Sequence, residues 1–188
     1  LFLRCAELCN RIEHIPKILY HWRKHAGSTA QASGAKPKSW EAGRRAIEQS
    51  LERRQIAAGV ELADYPNTYR VRYPIAGTPK VSIIIPFRDE PALLQSCVAS
   101  VLARSGYQRL ELLLVDNGSV LPETAQLLER LASQDARIRV LRHDVPFNYS
   151  AINNWAARQA SGEHLLFLNN DVEAISQDWL VAMLEHSQ

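Results

Sequence analysis

Three apolar runs that each end in a polar, acidic loop constrain this chain more than any other feature: VSIIIPFRDE from Val81 to Glu90, LELLLVDNGS with Asp116 at its turn, and HLLFLNND closing on Asp171. Short unbroken apolar runs suit strands buried in a parallel sheet, where both faces are covered. In such sheets ligands gather outside the carboxyl ends of the strands. The acidic loops therefore mark one rim as the place to look for function.

Helical patterns fill the intervals. Pro91 opens one whose apolar residues Leu94, Cys97, Val98, Val101 and Leu102 share a face, and Pro122 opens another bearing Leu127, Leu128 and Leu131. IRVL supplies a further strand, a helix is expected over about 149–160, and HLLFL forms the fourth strand. A last helix starts near Gln177 with Trp179, Leu180, Met183 and Leu184 inward. Strands alternating with helices imply right-handed crossovers and a doubly wound, mostly parallel α/β sheet with helices on both faces. The sheet is expected to be incomplete at the C-terminus, because the chain ends inside a helical pattern. Such sheets host many chemistries, so the fold alone does not choose a function.

The first part of the chain is less regular. LFLRCAELCN reads as a helix end and HIPKILYHWR as a strand, while the small, polar stretch from Gly27 to Lys38 reads as a connector at a domain boundary. A helical pattern runs from Ser39 to Gly59, with the glycine as its stop, and NTYRVRYPI alternates as a short strand would. Because the chain opens on Leu1 rather than Met, it is expected to be an excerpt of a longer protein.

At 188 residues and 46% hydrophobic content the chain can bury a substantial core, enough for one or two domains of about 100–200 residues. A net charge of +2, from 22 basic and 20 acidic residues spread along the chain, argues against a nucleic-acid-binding strip. The pairs Arg44/Arg45 and Arg53/Arg54 read as the solvated face of a helix. Cys5, Cys9 and Cys97 cannot all pair and lack a C-x-x-C spacing, which fits a reducing compartment. No apolar run approaches the roughly 18 residues that span a bilayer, and no signal-peptide pattern opens the chain. A cytoplasmic protein without a transmembrane segment is expected, with peripheral attachment at the inner face of the membrane left open.

Chemistry concentrates at the strand ends. Asp116 precedes Asn117, Gly118 and Ser119, a turn-favouring sequence. A carboxylate there can accept a hydrogen bond from a base or ribose, or simply shape the turn. Asn169, Asn170 and Asp171, with Glu173 beyond, form a second cluster. Hard cations take one or two carboxylates plus substrate phosphates and waters, so one carboxylate with amide neighbours suits a metal shared with a diphosphate; an Asn- and Asp-rich helix entry is the structural alternative. Asn153 and Asn154 stand near a helix start, where they can reach a phosphate or sugar hydroxyl or hold neighbouring loops. Arg88 can face a diphosphate or nucleobase, with Asp89 or Glu90 capping the helix that Pro91 begins. Asn117 and Asn148 satisfy N-x-S, but a glycan is not expected on a cytosolic chain. No G-x-G-x-x-G and no P-loop occur, which weakens dehydrogenase and ATPase readings.

Taken together, VSIIIP, LLLVDNGS, SAINNWAARQASGE and LLFLNND resemble, in order and spacing, the family 2 glycosyltransferases of the GT-A fold. The resemblance runs from Pro79 to Gln188 and is strongest to bacterial enzymes that build surface polysaccharides, including the rhamnosyltransferase-like group. It implies that Pro86, Arg88, Glu90, Asp116 and Asn117 hold the nucleotide, together with Asn153 and Asn154, which match the family's Arg-Asn pair with its arginine replaced. The family's Asp-x-Asp motif matches Asn169, Asn170 and Asp171. This implies that Asn169 and Asn170 face the donor sugar and diphosphate, and that Asp171 alone anchors Mn²⁺ or Mg²⁺. Residues 1–30 resemble the closing segment of another GT-A domain. The implied organisation is a preceding domain's tail at 1–30, a linker with a helix and short strand at 31–78, and the nucleotide-sugar-binding half of a GT-A domain at 79–188. In some relatives a histidine in such a tail touches the metal, which singles out His21 or His25 beside a purely structural role.

The implied reaction is inverting transfer of a sugar from a UDP- or dTDP-sugar to a hydroxyl of a glycan or lipid-linked glycan acceptor in polysaccharide synthesis. The general base that takes the acceptor's proton is expected beyond Gln188, so the catalytic residue is unassigned and the chain alone is expected to be inactive. One alternative is a GT-A-like module that binds nucleotide or glycan without catalysis. Another is a phospho-receiver type of α/β protein, which needs a rim lysine after the strand ends, whereas the lysines stop at Lys80.

Overall fold

The computed structural model describes residues 1–21, 37–65 and 67–188. They divide into two compact units, Leu1–Pro74 and Ile75–Gln188.

The first unit holds helices α1 (Phe2–Leu8) and α2 (Pro37–Arg53) and strands β1 (Gly59–Leu62) and β2 (Tyr69–Arg72), the strands pairing antiparallel from Gly59↔Arg72 to Leu62↔Tyr69. The sequence pattern ran α2 to Gly59, but the helix ends earlier. Gln55 turns left-handed at φ 55°, its N–H bonds to the Glu52 carbonyl, and Ile56 N–H reaches back to Leu51. That pair of bonds satisfies the last carbonyls and stops the helix, leaving Gly59 to open β1. The expected strand in HIPKILYHWR is absent over residues 14–21, and Trp22 and Arg23 lie outside the described residues. These residues are exposed, and among the described residues no strand takes their backbone groups, without which an extended segment has little to hold it. His21 lies there, exposed; His25 and residues 27–36 of the connector lie outside the described residues. One arginine of each pair is ion-paired: Arg44 bonds Glu41 and Glu48, and Arg53 lies 2.8 Å from Glu7, while Arg45 and Arg54 are exposed. Hydrogen bonds from Arg53 and Ser50 pull the Glu7 carboxyl down to about 2.

The second unit is built on a four-stranded parallel sheet of β3 (Val81–Phe87), β4 (Leu110–Asp116), β5 (Ile138–Arg142) and β6 (His164–Phe167), in the order β5-β4-β3-β6. Side chains alternate across the central strands. On one face Ile83, Ile85, Leu112 and Leu114 pack with Leu94, Val98, Leu127, Leu131 and Leu180, which come from α3 (Pro91–Arg104), α4 (Pro122–Gln134) and α6 (Trp179–Leu184). On the other, Ile84, Leu113 and Val115 pack with Ile152 and Ala156 of α5 (Tyr149–Ala157). The expected α/β sheet with helices on both faces is therefore present. In detail, α5 stops short of residue 160, and Met183 is 50% exposed rather than inward. On so short a helix the i, i+4 pair Leu180 and Leu184 carries the buried stripe.

A closed polar network anchors the amino-terminal end of the sheet. The Glu111 carboxylate, 3% exposed, accepts from Ser82 Oγ at 2.6 Å, Ser161 N–H at 2.7 Å and Lys80 Nζ at 3.2 Å, with Arg139 Nη1 at 3.4 Å. Burial alone would raise its pKa, but these bonds outweigh burial and hold it at about 2. Gly162 packs against this end so closely that a Cβ would lie 2.6 Å from the Lys80 carbonyl oxygen.

Candidate functional site

The strand order fixes where a ligand can sit. β4 and β5 build outward on one side of β3, and the chain then crosses to place β6 on the other. The reversal at β3 opens a crevice at the carboxyl ends of the strands.

Hydrogen bonds between loops shape the rim. After β3, Asp89 and Glu90 are both left-handed, at φ 53° and 51°, a conformation that costs a non-glycine residue energy and is held here by neighbours. The Asp89 carboxylate accepts from Val120 N–H and Leu121 N–H, both at 3.0 Å, and from Thr124 Oγ1 at 3.3 Å. These bonds, led by Leu121, depress its pKa. Asp89 thus serves the entry to α4 rather than the helix that Pro91 begins, and Glu90 occupies the N-cap of α3 without a side-chain bond. Asp89 N–H donates to Ser119 Oγ, and Ser119 N–H to Asp116 Oδ1, both at 2.7 Å. Asp116, 4% exposed, is tied into its own turn, with Arg142 Nη1 3.4 Å from its other oxygen. Gly118 completes the turn at φ 80°, where a Cβ would collide with the Asp144 carboxylate. Asn117 is buried and donates to the carbonyls of His143 and Val145, each at 2.9 Å.

Helix α5 begins where Asn148 caps it by accepting from Ala151 N–H at 2.9 Å. Asn153 donates to the Tyr149 carbonyl at 2.9 Å, and its buried Oδ1 has no hydrogen-bond partner among the described residues. Asn154 is exposed. Trp155 stacks on His143 with ring centroids 4.0 Å apart.

The loop after β6 is pinned from α3. Leu168 N–H makes the last bond to the sheet, to the Ile84 carbonyl at 2.9 Å; the Cys97 thiol donates to the Asn169 carbonyl at 3.6 Å, and Ala174 N–H to Ser100 Oγ at 3.0 Å. Burial pushes the Cys97 thiol up to about 11, so it remains a protonated donor. Tyr149 OH reaches Asn169 Oδ1 at 3.4 Å. Asp171 and Glu173 are exposed beyond this anchor.

These loops enclose a cavity of about 580 Å³ lined by Pro86, Phe87, Arg88, Asn117, Phe147, Tyr149, Ile152, Asn169 and Asn170, within the roughly 300–1,000 Å³ typical of small-molecule sites. Of the residues expected at the site, Pro86, Arg88, Asn117, Asn169 and Asn170 line it, whereas Glu90, Asp116, Asn153, Asn154 and Asp171 do not. Phe87, Phe147, Tyr149 and Ile152 were not singled out by sequence. The available signal was the aromatic pair flanking Asn148 at a helix start, directly before the SAINNW motif. The lining has one cation and several amides, but no carboxylate or imidazole.

Among the described residues no group of three His, Cys, Asp or Glu gathers to hold a metal. The donor set of one exposed carboxylate, Asp171, beside the amides of Asn169 and Asn170 fits a hard cation completed by phosphate oxygens and water rather than a protein cage.

A parallel sheet with its cavity at the point of strand reversal defines the doubly wound α/β class. The sequence narrows it further. The model of the family described as glycosyl transferase family 2 matches residues 82–188, and the chain belongs to that family. It is 47% identical over 188 residues to the O-antigen biosynthesis protein RfbC of Myxococcus xanthus, covering 100% of this chain and 14% of that protein. It is 46% identical over 191 residues to the uncharacterized protein y4gI of Sinorhizobium fredii, covering 100% of this chain and 21% of that one. The chain thus spans only a small part of these relatives. Among solved structures, the mannosyltransferase PcManGT from Pyrobaculum calidifontis, in complex with GDP-Man and Mn²⁺, superimposes with a TM-score of 0.54 at 18% identity, covering 85% of this chain and 43% of that one. That likeness establishes the GT-A fold.

Proposed function

We propose that this chain supplies the donor-binding half of a glycosyltransferase, which moves a sugar from a nucleoside-diphosphate sugar to a hydroxyl of a glycan or lipid-linked glycan acceptor in polysaccharide synthesis. The observation that carries this reading is the cavity at the strand reversal, where the ends of β3, β4 and β6 and the start of α5 converge. The O-antigen biosynthesis named for the Myxococcus relative supports the polysaccharide product.

In this reading the Arg88 guanidinium takes the diphosphate or base, Pro86 and Asn117 form the wall beside it, and the amides of Asn169 and Asn170 face the sugar and diphosphate. Glu90, Asp116, Asn153 and Asn154 belong to the nucleotide end, Asp116 by holding the turn that carries Asn117. Asp171 would hold Mn²⁺ or Mg²⁺, which when bound neutralises charge on the leaving diphosphate. Inverting transfer needs a general base, which belongs to the acceptor-binding half, and the expected behaviour of this chain is donor binding without turnover. In the same reading residues 1–30 are the tail of a preceding GT-A domain, and the protein works in the cytoplasm. A second reading, a nucleotide-binding module without catalysis, is favoured by the amide of Asn169 where the family motif has a carboxylate.

Calorimetric titration of UDP, dTDP and GDP, with and without Mn²⁺, tests the reading. Binding that strengthens with the metal in the wild type, and loses that gain in Asp171→Ala, is expected. No binding of any of the three by folded chain would remove the donor-site assignment, and equal binding by Asp171→Ala would remove the metal role.

A further inference from the structure

We propose that Tyr149 is a positioning residue that turns the side-chain amide of Asn169 so that this position meets its ligand as a hydrogen-bond donor. Both residues line the cavity. The backbone of Tyr149 is itself fixed: the Asn148 cap sets the first turn of α5, and Asn153 Nδ2 donates to the Tyr149 carbonyl at 2.9 Å. Its hydroxyl then donates to Asn169 Oδ1 at 3.4 Å.

Asn169 is held from the other side as well, its carbonyl accepting from the Cys97 thiol at 3.6 Å and the preceding Leu168 N–H closing the sheet on Ile84. An asparagine side chain has one acceptor oxygen and two N–H donors. With the oxygen held toward the phenol, which takes one of its two lone pairs, the amide is oriented and both Nδ2 hydrogens are free for a ligand, in a cavity whose one charged lining residue is Arg88. Amide and guanidinium donors together select acceptor groups, the oxygens of a diphosphate or the hydroxyls of a sugar. A carboxylate at this position would meet the oxygens of a diphosphate only through a cation, whereas the oriented amide meets them directly. Part of the grip on the ligand is therefore independent of metal.

The proposal rests on the nucleotide-site reading, and a double-mutant cycle separates the two. Dissociation constants for UDP, dTDP and GDP are measured in EDTA and in Mn²⁺ for the wild-type chain, Tyr149→Phe, Asn169→Ala and the double variant, with thermal melts to establish folding. In EDTA, Tyr149→Phe is expected to weaken the nucleotide that binds by about five-fold, the worth of one hydrogen bond, and the double variant to be no weaker than Asn169→Ala. Asn169→Asp, which still accepts from the phenol but has no N–H to give, is expected to bind more weakly than wild type in EDTA. Wild-type binding with an unaffected Tyr149→Phe, an equal Tyr149→Phe loss in both backgrounds, or Asn169→Asp equal to wild type in EDTA would each overturn the positioning role alone. Failure of the wild type to bind any of the three nucleotides would overturn the site reading and this inference with it.

Discussion

The two ends of the β3–β4 pair carry carboxylates of nearly equal burial, Glu111 at 3% exposed and Asp116 at 4%, yet they are put to different use. At the amino-terminal end, Glu111 draws its partners from the lead-in to β3, from β3 and β5, and from the turn before β6, and closes them into one network around the buried carboxylate. At the carboxyl end, Asp116 is tied to Ser119, but the loops beside it open into the cavity, whose lining residues Arg88 and Asn169 are exposed. A fully satisfied polar network adds rigidity, whereas groups left open are available to a ligand. The closed polar network sits at one end of the sheet and the open cavity at the other.

Removing the carboxylate at the closed end gives the largest expected effect. Glu111→Ala leaves the Ser82 hydroxyl and Ser161 N–H without their acceptor and should cost roughly 3–5 kcal/mol in chemical denaturation, with nucleotide affinity unchanged in the variant that remains folded. An equal loss of affinity would show that the two ends are coupled.

Acid should reproduce much of this without mutation. The folded Glu111 pKa, about 2, lies below its ordinary value of 4.5. Its stabilisation is therefore complete above pH 4.5 and is lost as pH falls through the folded pKa, about 3 kcal/mol in all. Melting curves from pH 6 down to about 2 should show that decline, and Glu111→Gln should flatten it. A wild-type curve no steeper than that of the variant would sink the assignment.

The smallest stability effect belongs at the open end. Arg88 is exposed and lines the cavity, so Arg88→Ala should shift stability by less than about 0.5 kcal/mol while weakening nucleoside-diphosphate binding at least ten-fold, the loss of a charge-assisted contact. Destabilisation without loss of affinity would invert the comparison.

Much of the closed end could not be read from sequence. Glu111 sits inside LELLLV as one charge in a buried strand, a visible anomaly, but its partners lie as far away as Ser161. The open end was partly legible: Arg88, Asn117, Asn169 and Asn170 were marked by their strand-end positions and line the cavity. Asp89 was misassigned because capping was sought in the nearest helix, whereas its carboxylate crosses to the entry of α4. The end of α2 was missed for a different reason: Gln55 adopts the left-handed turn usually given to glycine.

What the sequence determined by itself was the alternation of strands and helices and the rim on which polar groups collect, because apolar period, proline starts and strand-end polarity are local properties of the chain. Only the tertiary structure decided which side chains face each other. Placing β6 beside β3 brings Asn169 against Tyr149, 20 residues away, and against Cys97, 72 residues away. Strand order creates those contacts, and no local pattern encodes strand order.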